Sequence, residues 1–158
     1  MGLVAVQNEF WFPYTILIIN LLIIWFMPKR IAKQEIYILW FALAAIALYT
    51  DVLFGVVLDL FDYGKSPKVV FLELPIEALL PPSFGIIFLN YMPKDRMKYL
   101  RYMICWVVFS TFFEWITVCI DYLSYKGWKL WYSAVIYTIV FIFIRWHYYF
   151  IRRVLKVK

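Results

Sequence analysis

The chain has 158 residues, 66% hydrophobic and only 16% charged, with a mean hydropathy of +0.79 and a formal net charge of +6. A soluble domain carries roughly 25% charged and 45–50% apolar residues, so this apolar excess cannot hide in one small core and has to face lipid. That excludes a water-soluble protein, and the surplus of base follows the topology read below, which removes the case for a nucleic-acid partner.

Five apolar stretches approach the roughly 20 residues that a helix needs to cross the hydrocarbon. The first covers about Trp11–Met27. Glu9 precedes it, nothing basic does, and Pro28-Lys29-Arg30 follows, a polarity that suits a span with its N-terminus outside rather than a cleaved leader. The second, about Ile36–Leu58, carries Asp51 beyond its midpoint and Asp59 after it. The third, about Val69–Met92, contains Glu73, Glu77 and the pair Pro81-Pro82. The fourth, about Tyr102–Tyr122, holds Glu114 and Asp121, and the fifth, about Leu130–Tyr149, follows a turn rich in tryptophan. Together they predict an all-α bundle of five transmembrane helices, one domain over residues 1–158. Twelve of the 16 Lys and Arg fall on one side of these spans, among them Lys29, Arg30, Lys94, Arg96, Arg152, Arg153, Lys156 and Lys158; Lys65, Lys68, Lys126 and Lys129 fall on the other. The positive-inside rule then places the N-terminus outside and the C-terminus in the cytoplasm.

Met27-Pro28-Lys29 closes the first span and Met92-Pro93-Lys94 the third. This reads either as a parallel repeat of two hairpins, which can frame a site at their interface, or as the same helix stop used twice. Cys105 and Cys119 lie 14 positions apart on one helix, about 21 Å at 1.5 Å per residue, too far to pair; both read as small packing residues. His147, the one histidine, reads as part of an interfacial aromatic belt.

The functional clue is acid inside the spans. An ionisable side chain in hydrocarbon costs several kcal/mol and has to face protein, water or an ion. Glu73 and Glu77 sit about 40° apart on a helical wheel, and Glu114 and Asp121 about 20° apart. Asp51, Glu77 and Glu114 are the deep ones, all in the outer half. Pro81 and Pro82 remove the amide donors owed to the carbonyls of Glu77 and Ala78, which predicts a third helix broken at Pro81-Pro82. Carboxylates gathered at low dielectric need a cation or a proton between them. Oxygen ligands would suit Ca²⁺, Mg²⁺ or Mn²⁺, with Glu77 and Glu114 as ligands, while tryptophan and tyrosine walls would suit an organic cation.

The expected function is therefore binding or transport of a small cation, with Glu77 and Glu114 central and Glu73, Asp51 and Asp121 assisting. A plainer alternative has the deep acids bonded to Tyr, Ser, Thr and Asn neighbours, Ser110, Thr111 and Thr117 being available, or paired with Lys126 or Lys129. A further alternative is an accessory subunit that binds another membrane protein or a second copy of itself; a small intramembrane enzyme ranks below both. No Gly-rich phosphate loop, metal-ligand histidine pair or Ser/His/Asp set supports catalysis, and no cofactor is indicated.

Two runs carry a resemblance. Phe71-Leu-Glu-Leu-Pro-Ile-Glu77 continues into Pro82-Ser-Phe-Gly-Ile-Ile-Phe-Leu-Asn90-Tyr-Met-Pro93, and Phe113-Glu114-Trp115 precedes Tyr125-Lys-Gly-Trp128-Lys-Leu-Trp131-Tyr132. Over about Pro28–Arg153 the chain resembles a family of small uncharacterised multi-span membrane proteins from endospore-forming bacilli and clostridia. The resemblance implies the plasma membrane of a Gram-positive bacterium. It brings no activity or cofactor, and it carries over Glu114, Trp128 and Trp131 as positions of unassigned role. The doubled proline departs from the single proline of that family.

Overall fold

The computed structural model describes residues 10–64 and 73–155. Glu9, Lys65, Lys68, Lys156, Lys158 and the start of the third expected span at Val69 lie outside the described residues. Five α-helices follow in order: α1 (Trp11–Phe26), α2 (Lys33–Asp51), α3 (Glu73–Tyr91), α4 (Arg96–Cys119) and α5 (Leu130–Leu155). Among the described residues four segments are long and apolar enough to cross a membrane: Lys33–Val57, Glu73–Tyr91, Arg96–Cys119 and Leu130–Leu155. Helix α1 has 16 residues, about 24 Å at 1.5 Å per residue, shorter than a hydrocarbon core of about 30 Å.

Helix α3 is the axis of the bundle. It packs against α1 and α2 and touches α5, while α4 pairs with α5. Ser83, Ile86 and Phe88 are fully buried on it. Gly85 allows α2 to approach, since a Cβ there would lie 2.5 Å from Leu43 Cδ1. The break expected at Pro81-Pro82 is absent: α3 runs without interruption from Glu73 to Tyr91. Beside the prolines, Ser83 Oγ donates to the Leu80 carbonyl (2.6 Å) and accepts from Asn20 Nδ2 of α1 (3.0 Å). Packing against α1 and α2 holds the helix through the two prolines.

Helix starts are set locally. Asp95 caps α4, its Oδ1 accepting the Lys98 amide at 2.9 Å. Glu35 Oε2 accepts the Ala32 amide at 2.8 Å at the start of α2, the back-reaching half of a capping box. At the same end Asn90 of α3 fastens the α1–α2 turn, accepting the Arg30 amide (2.8 Å) and donating to the Pro28 carbonyl (3.1 Å).

The all-α expectation misses one feature. Strands β1 (Phe61–Tyr63) and β2 (Leu123–Tyr125) pair antiparallel, Phe61 opposite Tyr125 and Tyr63 opposite Leu123. They tie the segment after α2 to the α4–α5 turn, and the Leu60 carbonyl gathers the amides of Lys126, Gly127 and Trp128 at 2.9–3.1 Å. Asp59, Gly64 and Asp121 take positive φ around them, which Gly and Asp tolerate best. Both cysteines point outward rather than into the packing. His147 stacks on Phe143 in an aromatic row on α5.

Candidate functional site

One end of the bundle is filled and the other hollow. Around α3 at the filled end, Phe88, Tyr102, Trp106 and Phe141 interlock. Toward the β1–β2 end, α2, α3, α4 and α5 separate around a cavity of about 290 Å³.

Helix α2 brings Asp51 to this cavity at its last residue. A π-helical turn, Val52–Val57, follows at once. Such turns insert one extra residue into the helix and recur at functional sites. Gly55 sits within it, and a Cβ there would lie 3.1 Å from the Phe61 ring, so the small residue lets β1 close against the turn. Tyr63 of β1 then reaches back, its hydroxyl donating to Asp51 Oδ1 at 3.0 Å.

Helix α4 brings Glu114, whose carboxylate is fully engaged. Oε1 accepts from the Tyr125 hydroxyl (2.5 Å) and Ser133 Oγ (2.6 Å), and Oε2 accepts from the Tyr137 hydroxyl (2.6 Å). Trp128 Nε1 in turn donates to Ser133 Oγ at 2.7 Å. Ser133 and Tyr137 are one helical turn apart and so address one point. Burial raises the phenols of Tyr63, Tyr122 and Tyr125 well above their ordinary pKa; the charge of Asp51 adds to this at Tyr63, Glu77 and Glu73 add to it at Tyr122, and the bond to Glu114 adds to it at Tyr125. All three keep their protons; Tyr63 and Tyr125 donate them to the acids, while the buried Tyr122 hydroxyl has no partner among the described residues.

Helix α3 brings Glu77. It is half-buried and lines the cavity, and among the described residues it has neither a hydrogen bond nor an ion pair. Pro81, one turn on, has no amide hydrogen, so the Glu77 carbonyl also lacks its helical donor. The cavity walls mix aliphatic and aromatic side chains, with Phe54, Phe84, Phe113, Tyr122 and Trp128 among the rings.

Of the seven residues singled out from the sequence, Asp51, Glu77, Glu114 and Trp128 line this cavity. Glu73, Asp121 and Trp131 do not. Glu73 is buried outside it, Asp121 lies exposed at a left-handed turn, and Trp131 is 61% exposed, its ring against Tyr132. As the plainer alternative expects, Asp51 and Glu114 bond tyrosine and serine hydroxyls, but not those of the residues named for it. Thr111 and Thr117 bond to backbone carbonyls of their own helix, and Lys126 pairs with Asp59 (2.6 Å) and Asp62 (3.0 Å) at the surface. The donors are Tyr63, Tyr125, Ser133 and Tyr137, of the expected residue types but at positions the sequence does not single out. Only the one-turn spacing of Ser133 and Tyr137 behind the tryptophan-rich turn could have signalled them.

Among the described residues no three His, Cys, Asp or Glu side chains come close enough to hold a metal ion. A carboxylate on an aromatic wall remains, which is the chemistry of ammonium recognition rather than of oxygen coordination. No protein-family model, no curated protein and no solved structure matches the chain.

Proposed function

We propose that this membrane protein binds a small cation in the cavity at the β1–β2 end and acts in its capture or transport. The observation that carries the reading is the contrast among the cavity acids. Glu114 has three hydroxyl donors and Asp51 has one, while Glu77 has none among the described residues. A carboxylate facing a low-dielectric hollow calls for a counter-charge, and the rings around it add cation–π attraction.

In this reading α1 completes a fifth crossing and the cavity opens to the outside. The turns carrying Lys29, Arg30, Lys94 and Arg96 face the cytoplasm of a Gram-positive cell, held there by the positive-inside bias and by anionic lipid.

The test is thermal unfolding of the purified protein with Ca²⁺, Mg²⁺, Mn²⁺ and tetramethylammonium, because a ligand bound only by the folded state raises stability by mass action. The expected result is a concentration-dependent rise with tetramethylammonium that Glu77→Gln abolishes. A flat response to all four cations, or an undiminished rise in Glu77→Gln, overturns the reading.

A further inference from the structure

We infer that the cation is amphiphilic: a single ammonium head at the level of Glu77, with an apolar tail or ring lying deeper in the same cavity. This rests on the cation reading above and adds the class of ligand.

The carboxylates of the cavity lie toward one end of it. Asp51, Glu77, Glu114, Tyr122, Trp128 and Ser133 meet near the β1–β2 strands. From there the lining continues along each helix toward the filled end. It reaches Leu43 on α2, Gly85 on α3, Phe109 on α4 and Ile144 on α5. Asp51 to Leu43 and Glu77 to Gly85 are each eight residues, about 12 Å of helix rise. Beyond Thr50 and Ser110, the lining among the described residues is aliphatic and aromatic: Leu43, Phe84, Phe109, Val140, Phe141 and Ile144. Thr50 Oγ1 is itself turned to the Ala47 carbonyl at 2.8 Å.

A hydrated metal ion or a bare ammonium uses only the upper level and leaves the lower part without matching surface. A molecule with charge at one end and hydrocarbon at the other satisfies both levels, with about 25 cal/mol gained per Å² of apolar surface taken from water. Size limits it further. At roughly 30 Å³ for each water-sized group, 290 Å³ holds about ten non-hydrogen atoms. That matches a single short chain or one ring system.

The experiment titrates the full-length protein in nanodiscs with n-alkyltrimethylammonium ions, from tetramethyl to dodecyl. n-Alkanols of the same lengths serve as neutral controls, and empty nanodiscs measure partition into lipid. After subtraction of partition, affinity is expected to rise roughly fourfold per methylene and to level off at about six to eight carbons, where the volume is filled. Ala47→Phe, which fills the lower lining from α2, is expected to pull the ratio of octyl to tetramethyl affinity toward one. Tetramethylammonium binding with no dependence on chain length overturns the amphiphile and leaves the cation reading standing. Failure of every ammonium, or alkanols binding as tightly as ammoniums, removes the cation reading itself. Should Ala47→Phe not fold, the wild-type series alone decides.

Discussion

The two ends of the bundle treat buried carboxylates in opposite ways. At the filled end Glu35 is completely buried and fully answered. Arg152 Nε donates to its Oε1 at 2.7 Å, the Ala32 amide to its Oε2, and the Arg152 guanidinium lies 4.8 Å from the Tyr148 ring centroid. That pair fastens the last turn of α5 to the first turn of α2. At the hollow end Glu114 is answered by neutral hydroxyls, and Glu77 is left open to the cavity. The comparison teaches that a buried acid is not by itself a site. Glu35 and Glu114 are parts of the scaffold, each with its oxygens occupied, whereas among the described residues both oxygens of Glu77 and one of Asp51 have no partner and remain for a ligand.

Mutations should rank accordingly. Arg152→Met leaves Glu35 buried without its cation, and about 3 kcal/mol of stability should be lost, the lower end of the range for a broken buried pair because the Arg152 side chain is 26% exposed. Combining it with Glu35→Met should restore most of that loss, since an apolar pair of similar volume often replaces a buried ion pair at little cost. A double variant as unstable as Arg152→Met alone would show that the charge pair is not what joins α2 to α5. Both are read by chemical or thermal unfolding in one detergent.

Glu114→Ala comes next. It strands the hydroxyls of Tyr125, Ser133 and Tyr137 together, for a loss of about 2–3 kcal/mol. Ser133→Ala should cost about 1 kcal/mol, with a change in Trp128 fluorescence because the indole N–H loses its acceptor. Glu77→Gln should change stability least, by about 0.5 kcal/mol or less without ligand, while abolishing the stabilisation by tetramethylammonium. A large stability loss in Glu77→Gln would place it with Glu114 in the scaffold and erase the distinction between the acids.

The helices themselves were legible, because long apolar runs have few solutions once backbone groups cannot bond to water. The level of Asp51, Glu77 and Glu114 was legible too, since residues counted from a helix end give depth at a fixed rise. Their partners were not. Tyr125 reaches Glu114 from a strand that exists only because β1 pairs with it some 60 positions earlier in the chain. Glu35 and Arg152 look like loop charges in sequence and are 117 positions apart. The prolines misled for the same reason: α3 runs straight through them in its packed setting, where Asn20 of α1 bonds Ser83 beside Pro81-Pro82.

From the sequence alone came the membrane class, the long helices and the presence of acid deep within them. All of these follow from local hydrophobicity and helix geometry, which need no knowledge of neighbours. Packing alone decided which acid is occupied and which is open, and which of Trp128 and Trp131 turns inward. Hydrogen bonds and empty volume arise between helices, and no single helix specifies what stands opposite it.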